Sequence, residues 1–540
     1  MNSNKKKNIS STNIRINYRL SLRKNELQHN LRRLKNSTTN NKNKYEFSDE
    51  DFINYGINSE TSEKNETIFD ISIEDLIASC ETENKIELKF WLYKLGKISL
   101  EGNKELIQSK IINKISVEKI NLLFKLIIFS DNNVGTVSDD ILKIRYQSIC
   151  ILINILVDTD TYNQIFIDKA EMIINFMLNL LHKVSQINEN VLLYHLQWLF
   201  SNMIESEEMF YCINQNKKLN IIDFLKQVFD YNSKKENYLD NIVTLWILQF
   251  CLHHLDGDSI AFYSIFINNI QNLVQKSMKH LNVELLVECF NCLIEYSKSA
   301  QCLNIILNPN NNNEINLLQS ILKTVNIVPE AHELINIMIV NDKSNFILSS
   351  YDIFGEITLP FLFGIKDGDD KKTTTNTVNS LNLFHTLLDK PCVSADIINK
   401  FMSNSKCFDN FIYLYTNNDS FEIKKKVIVI LTDIFQKGDI RIKQHLCNIK
   451  LHIFLINEIQ KYIDEAYGKD LNEIIALLLS GLEKILIYSD QNYSKINYVQ
   501  KELEESNIIG LLLKLQCHKQ QSIYETAVSL LESFWGSDYI

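Results

Sequence analysis

A chain of 540 residues with 45% apolar residues, only 4 Pro and 13 Gly, and a formal charge of −10 is too long for one ordinary domain. It also lacks the turn punctuation of a sandwich or barrel. No apolar run reaches the roughly 18–20 residues of a membrane span. Of the 11 cysteines only Cys289 and Cys292 stand at CxxC spacing, with no second such pair and no His at metal spacing, so reduced thiols are expected and neither a disulfide scaffold nor a zinc site is.

In chain order, residues 1–45 form a basic arm. It holds twelve Lys and Arg against one acid, Glu26, a net of +11, which leaves −21 for residues 46–540. Within it, Leu20, Leu27, Leu31 and Leu34 make an apolar stripe on a predicted helix over 15–36, flanked by basic residues. A basic arm on an acidic body fits a nucleic-acid tail, a partner-binding arm or an internal ligand for the body. The arm's only aromatics are Tyr18 and Tyr45, and an acidic body repels phosphate, so no direct nucleic-acid binding is expected. Residues 46–70 read as an acidic flexible linker. From 71 to 540 the pattern is helical, each repeat a short helix followed by two longer ones, with polar surface loops near 308–314 and 366–377.

Within that helical stretch one context recurs. In HLQWLFSNMI, Trp198 and Asn202 stand four residues apart and so share a helix face. Equivalent positions are Cys150/Asn154, Trp246/Phe250, Val287/Asn291, His332/Asn336, Leu381/His385 and Val429/Asp433. Successive second positions lie 48, 48, 41, 45, 49 and 48 residues apart, an interval that points to an armadillo- or HEAT-type solenoid. Repeated indole and carboxamide groups form a ladder able to grip extended peptide backbone. An Asn side chain both donates and accepts, so it can hold the N–H and C=O of one extended residue. Indole rings pack on the stems of Lys and Arg with cation–π attraction of about 0.5–2 kcal/mol. Acids beyond the rings meet the charged heads; Glu284, Glu205 and Glu207 are the candidates. Each ladder residue also has a core reading, and Asp342 a plain solvated one. His253–His254 reads as a groove cation rather than a metal site. No GxxxxGK[ST], GxGxxG, HExxH or GxSxG motif occurs, so an enzyme is not expected, and neither a cofactor nor a metal is.

At these residues the chain resembles importin α over nearly its full length. LRK (22–24) and, six residues on, LRR (31–33) are similar to the importin-β-binding segment of that family. SIEDLIAS (72–79) resembles its entry into the first repeat, WLFSN (198–202) its second, and PEAHELINIMIVND (329–342) its fifth. LLSGLEKIL (478–486) and SIYETAVSLLESFWG (522–536) resemble the ninth and tenth. The departures are that only Trp198/Asn202 keeps the family's pair intact, that Ser206 stands where the principal lysine-pocket acid aligns, and that most helix-turn glycines and the acidic tail are absent.

The resemblance implies an all-α, right-handed armadillo superhelix (an α-solenoid) of about ten repeats, working as a nuclear import adaptor in cytoplasm and nucleus. It implies that Asn154, Trp198, Asn202, Trp246, Glu284, Asn291, Asn336 and Asp342 hold a basic localisation signal of a cargo protein, Asp342 in a second, minor site. Importin β would bind Leu22, Arg23, Lys24, Leu31, Arg32 and Arg33, and a nuclear export receptor is a further implied partner. The alternative is an armadillo scaffold that has lost signal binding.

Overall fold

The computed structural model describes residues 74–76, 85–101, 115–128, 139–157, 163–182, 187–215, 220–234, 238–307, 317–325, 328–360, 371–464, 469–492 and 497–536. The arm and linker, with all six residues expected to meet importin β, lie outside them. The described residues form helices and turns with no strand, and divide into two compact units, 1–254 and 255–540.

In the first unit, four long helices stack each against the next: α1 (Ile86–Glu101), α2 (Asp139–Val157), α3 (Ile187–Glu205) and α4 (Tyr238–His254). Other helices back them: Val117–Ile127 packs on α2, Asn163–His182 on α3 and Ile221–Ser233 on α4. The second unit repeats the pattern with α5 (Val283–Tyr296), α6 (Pro329–Asn341), α7 (Lys371–Leu388), α8 (Phe421–Lys437), α9 (Lys469–Asn492) and α10 (Gln521–Trp535), again each on the next. A backing helix such as Ile267–His280 on α5, or Leu451–Asp464 on α9, closes the core behind.

The repeat length is written in the polar contacts between neighbouring helices. Thr244 Oγ1 lies 3.1 Å from Gln197 Oε1 across 47 residues, Lys425 Nζ 2.8 Å from Glu473 Oε2 across 48, and His452 Nε2 2.8 Å from Glu502 Oε2 across 50. Separations this constant mean that each repeat meets the next one along, the defining property of a solenoid. The chain is an α-solenoid of armadillo/HEAT-like repeats.

The abundant Asn and Asp residues mark helix starts. Asn220, Asn282, Asp439 and Asn497 each accept the backbone N–H three residues on, at 2.9–3.1 Å, satisfying donors that a helix end otherwise leaves open. Scarcity of glycine shows at helix ends. Leu281, which caps Ile267–His280, and Lys450 adopt left-handed backbone, φ 51° and 63°, a conformation that costs a side-chain-bearing residue roughly 1–2 kcal/mol.

Candidate ligand-binding ladder

All seven predicted pairs fall on long stacked helices: one each on α2, α3 and α4 in the first unit, and one each on α5, α6, α7 and α8 in the second. The shared phase read from the sequence is therefore the phase of the stack.

In the first unit, Asn154 is half-buried on α2. Trp198 and Asn202 on α3 and Trp246 on α4 are 4%, 6% and 4% exposed. The two indoles meet edge to face, centroids 5.8 Å apart with planes at 68°, a favoured aromatic geometry. Rings in contact leave no slot between them for a lysine stem. Behind the pair runs an aromatic seam. Trp198 stacks on His195 at 6.4 Å and meets Tyr194 at 6.0 Å, and His195 meets Tyr146 of α2 at 4.8 Å. Burial holds the His195 imidazole at a pKa of about 4, so it is neutral, and its Nδ1 lies 2.7 Å from the Val191 carbonyl. Asn202 carries an unmet demand: its Nδ2 is buried with no hydrogen-bond partner. An orphaned donor of this kind costs about 1–3 kcal/mol.

Of the acids expected near Asn202, Glu205 ends α3 and is half-buried, and Glu207 opens the next helix, Glu207–Gln215, and is exposed. His254 belongs to the same corner. Its Nε2 lies 3.0 and 3.1 Å from the carbonyls of Ile204 and Glu205, so it caps α3 from the next repeat. The reading of His253–His254 as a groove cation is corrected for His254 accordingly. Burial, with His253 alongside, holds the His254 pKa below its ordinary value.

In the second unit, Glu284 is exposed in the first turn of α5. Asn291 is buried, and its Nδ2 donates to Glu288 Oε2 at 3.3 Å. Glu288 is a ladder acid that sequence reading missed; its three-residue spacing from Asn291 on one helix was the available signal. Asn336 on α6 is half-buried, with its Oδ1 buried and unpartnered. Beside it His332 is buried and held at a pKa of about 4.

Asp342 is engaged in its own turn. It is 4% exposed, its Oδ1 accepts from Ser344 N–H and Oγ–H at 3.0 and 2.5 Å, and its Oδ2 accepts from Ile347 N–H at 2.9 Å. A carboxylate engaged this way shapes the turn after α6.

No family model and no curated protein sequence matches the chain. Solved structures do. An engineered protein aligns at 12% identity over 85% of this chain and 98% of its own, with a TM-score of 0.56. β-Catenin, from a study of its phosphorylation-controlled interaction with cadherin, aligns at 11% over 90% and 99%, TM-score 0.45. Importin β aligns at 9% over 86% of this chain and 60% of its own, TM-score 0.44. At 12% identity the likeness to the engineered protein is one of fold, and it agrees with the repeat contacts already described.

Proposed function

We propose that this chain is a nuclear import adaptor: it holds a Lys- and Arg-rich localisation peptide against the ladder and engages importin β through residues 1–45. The observation that carries this reading is the pair of unmet carboxamide groups at equivalent ladder positions, Asn202 Nδ2 and Asn336 Oδ1. The N–H and C=O groups of an extended peptide are what each of these groups lacks within its own unit, and in the second unit Glu284 and Glu288 add negative charge. The LRK and LRR segments of the arm support the importin β half of the proposal. Because the indole pair is closed, peptide binding at Trp198 and Trp246 requires the rings to separate.

The test is a titration of a labelled Lys-rich peptide. Asn202→Ala is expected to weaken binding by about 1–3 kcal/mol while the far-ultraviolet spectrum is unchanged. A fragment of residues 1–45 is expected to retain importin β in a pull-down at low salt. A second reading, a scaffold serving another assembly without holding a localisation signal, draws on the closed indoles and the turn duty of Asp342. Unchanged peptide affinity in folded Asn202→Ala favours that scaffold, as does failure of importin β to bind the fragment.

A further inference from the structure

At the ladder positions of α7 and α8 the second unit places not an indole and a carboxamide but a mixed-charge cluster. His385 Nε2 lies 3.2 Å from Asp433 Oδ2 and 4.0 Å from Asp389 Oδ2. One polar atom from each of these three residues falls within 4.8 Å of the others. The cation present is an ammonium. Lys437 Nζ is 2.5 Å from Asp389 Oδ1 and 3.6 Å from Asp433 Oδ2. Asp433 is the most buried of the group, its side chain 16% exposed. Burial alone would raise its carboxyl pKa; the His385 hydrogen bond, with Lys437 and Lys484, outweighs that and holds it below the ordinary value.

The stripe that carries the cluster is the ladder stripe. Lys425, Val429, Asp433 and Lys437 follow one another at four-residue steps on one face of α8. Lys425 repeats the arrangement toward the other neighbour, crossing to Glu473 of α9 at 2.8 Å. Each lysine thus reaches an acid one repeat away.

From this geometry we infer that Lys437 is an internal ligand: it fills a cation pocket formed by the carboxylates of Asp389 and Asp433, the latter held in place by His385, and the external ligand of that pocket is the ammonium group of a lysine in a basic peptide. The inference rests on the reading of the ladder as a basic-peptide surface and adds that this rung is occupied in the free chain. A tethered ammonium competes through its effective concentration, so an incoming lysine must displace it. Lys437 would accordingly restrict which basic peptides the second unit accepts.

The full-length chain in an Asn202→Ala background is titrated at 50 mM salt with a labelled peptide of four consecutive lysines. Lys437→Met is expected to tighten binding at least about fivefold, the scale of a removed tethered competitor, and adding Asp433→Asn to abolish the gain. Lys406→Met, which removes the same charge elsewhere, is expected to leave affinity where it was. Lys437→Gln serves in place of the Met variant if thermal melting shows that variant unfolded. No gain in a folded Lys437 variant, or an equal gain in Lys406→Met, overturns the inference. The effect of Asn202→Ala in the otherwise unaltered chain reports on the first unit's ladder alone, so either reading can fail without the other.

Discussion

Asn202 shows how a residue can fit its fold and still signal something outside it. A buried carboxamide nitrogen without an acceptor is a standing cost, and an apolar residue of similar volume would remove it. Its neighbour His195 makes the opposite arrangement, a polar ring fitted so well among aromatics that it does not ionise. Its folded pKa of about 4 lies below the ordinary 6.5, so the unfolded chain takes up a proton first as pH falls. The stability this group contributes is therefore complete above pH 6.5, is lost progressively down to about 4, and changes no further below. The depression corresponds to roughly 3 kcal/mol. His195→Phe keeps the ring contacts and removes the titration. The drop in unfolding free energy between pH 7 and pH 4.5 is expected to be smaller in that variant by a large part of this amount, measured by denaturant melts. An identical drop would mean that the ring is charged in the folded state.

Element by element, the sequence reveals the ladder but not what its side chains do there. The period near 48 and the four-residue pairs place every predicted pair on a stacked helix, because helical phase and repeat spacing are one-dimensional properties. Side-chain partners are not. Asp342 was legible as an acid six residues after Asn336, yet its commitment to Ser344 and Ile347 depends on how the chain turns after α6. The edge-to-face contact of Trp198 and Trp246 depends on how closely α3 approaches α4. Missing helix-turn glycines were visible in the sequence as a departure, and the structure gives their consequence in the left-handed Leu281. That residue is exposed and its side chain packs little, so Leu281→Gly trades backbone strain against chain entropy. Strain is the larger of the two, and the substitution is expected to stabilise the second unit by about 1 kcal/mol. A lowered denaturation midpoint would show instead that the Leu281 side chain contributes more than its exposure suggests.

For the whole molecule the uneven charge is the dominant fact, with +11 on residues 1–45 and −21 on the remainder. Arg32, Arg33 and Lys35 form a cluster of the same chemistry as the proposed peptide ligands, attached through residues 46–70 to the body that would bind them. A tethered ligand of that kind competes with cargo in proportion to its effective concentration, and a partner that seizes the arm relieves the competition. Deletion of residues 1–45 is therefore expected to raise affinity for a Lys-rich peptide, and a 15–45 peptide added in trans to lower it again. The gain is expected to stay below about tenfold, or ~1.4 kcal/mol. Charge sets its salt dependence: the difference should shrink as ionic strength passes ~0.15 M, where the Debye length is about 8 Å. Lys437 acts within the second unit and is unaffected by the deletion, so the gains from Lys437→Met and from loss of the arm should add if the two occupy different rungs. Equal peptide affinities for the full-length and truncated chains at 50 mM salt would show that the arm does not reach the ladder.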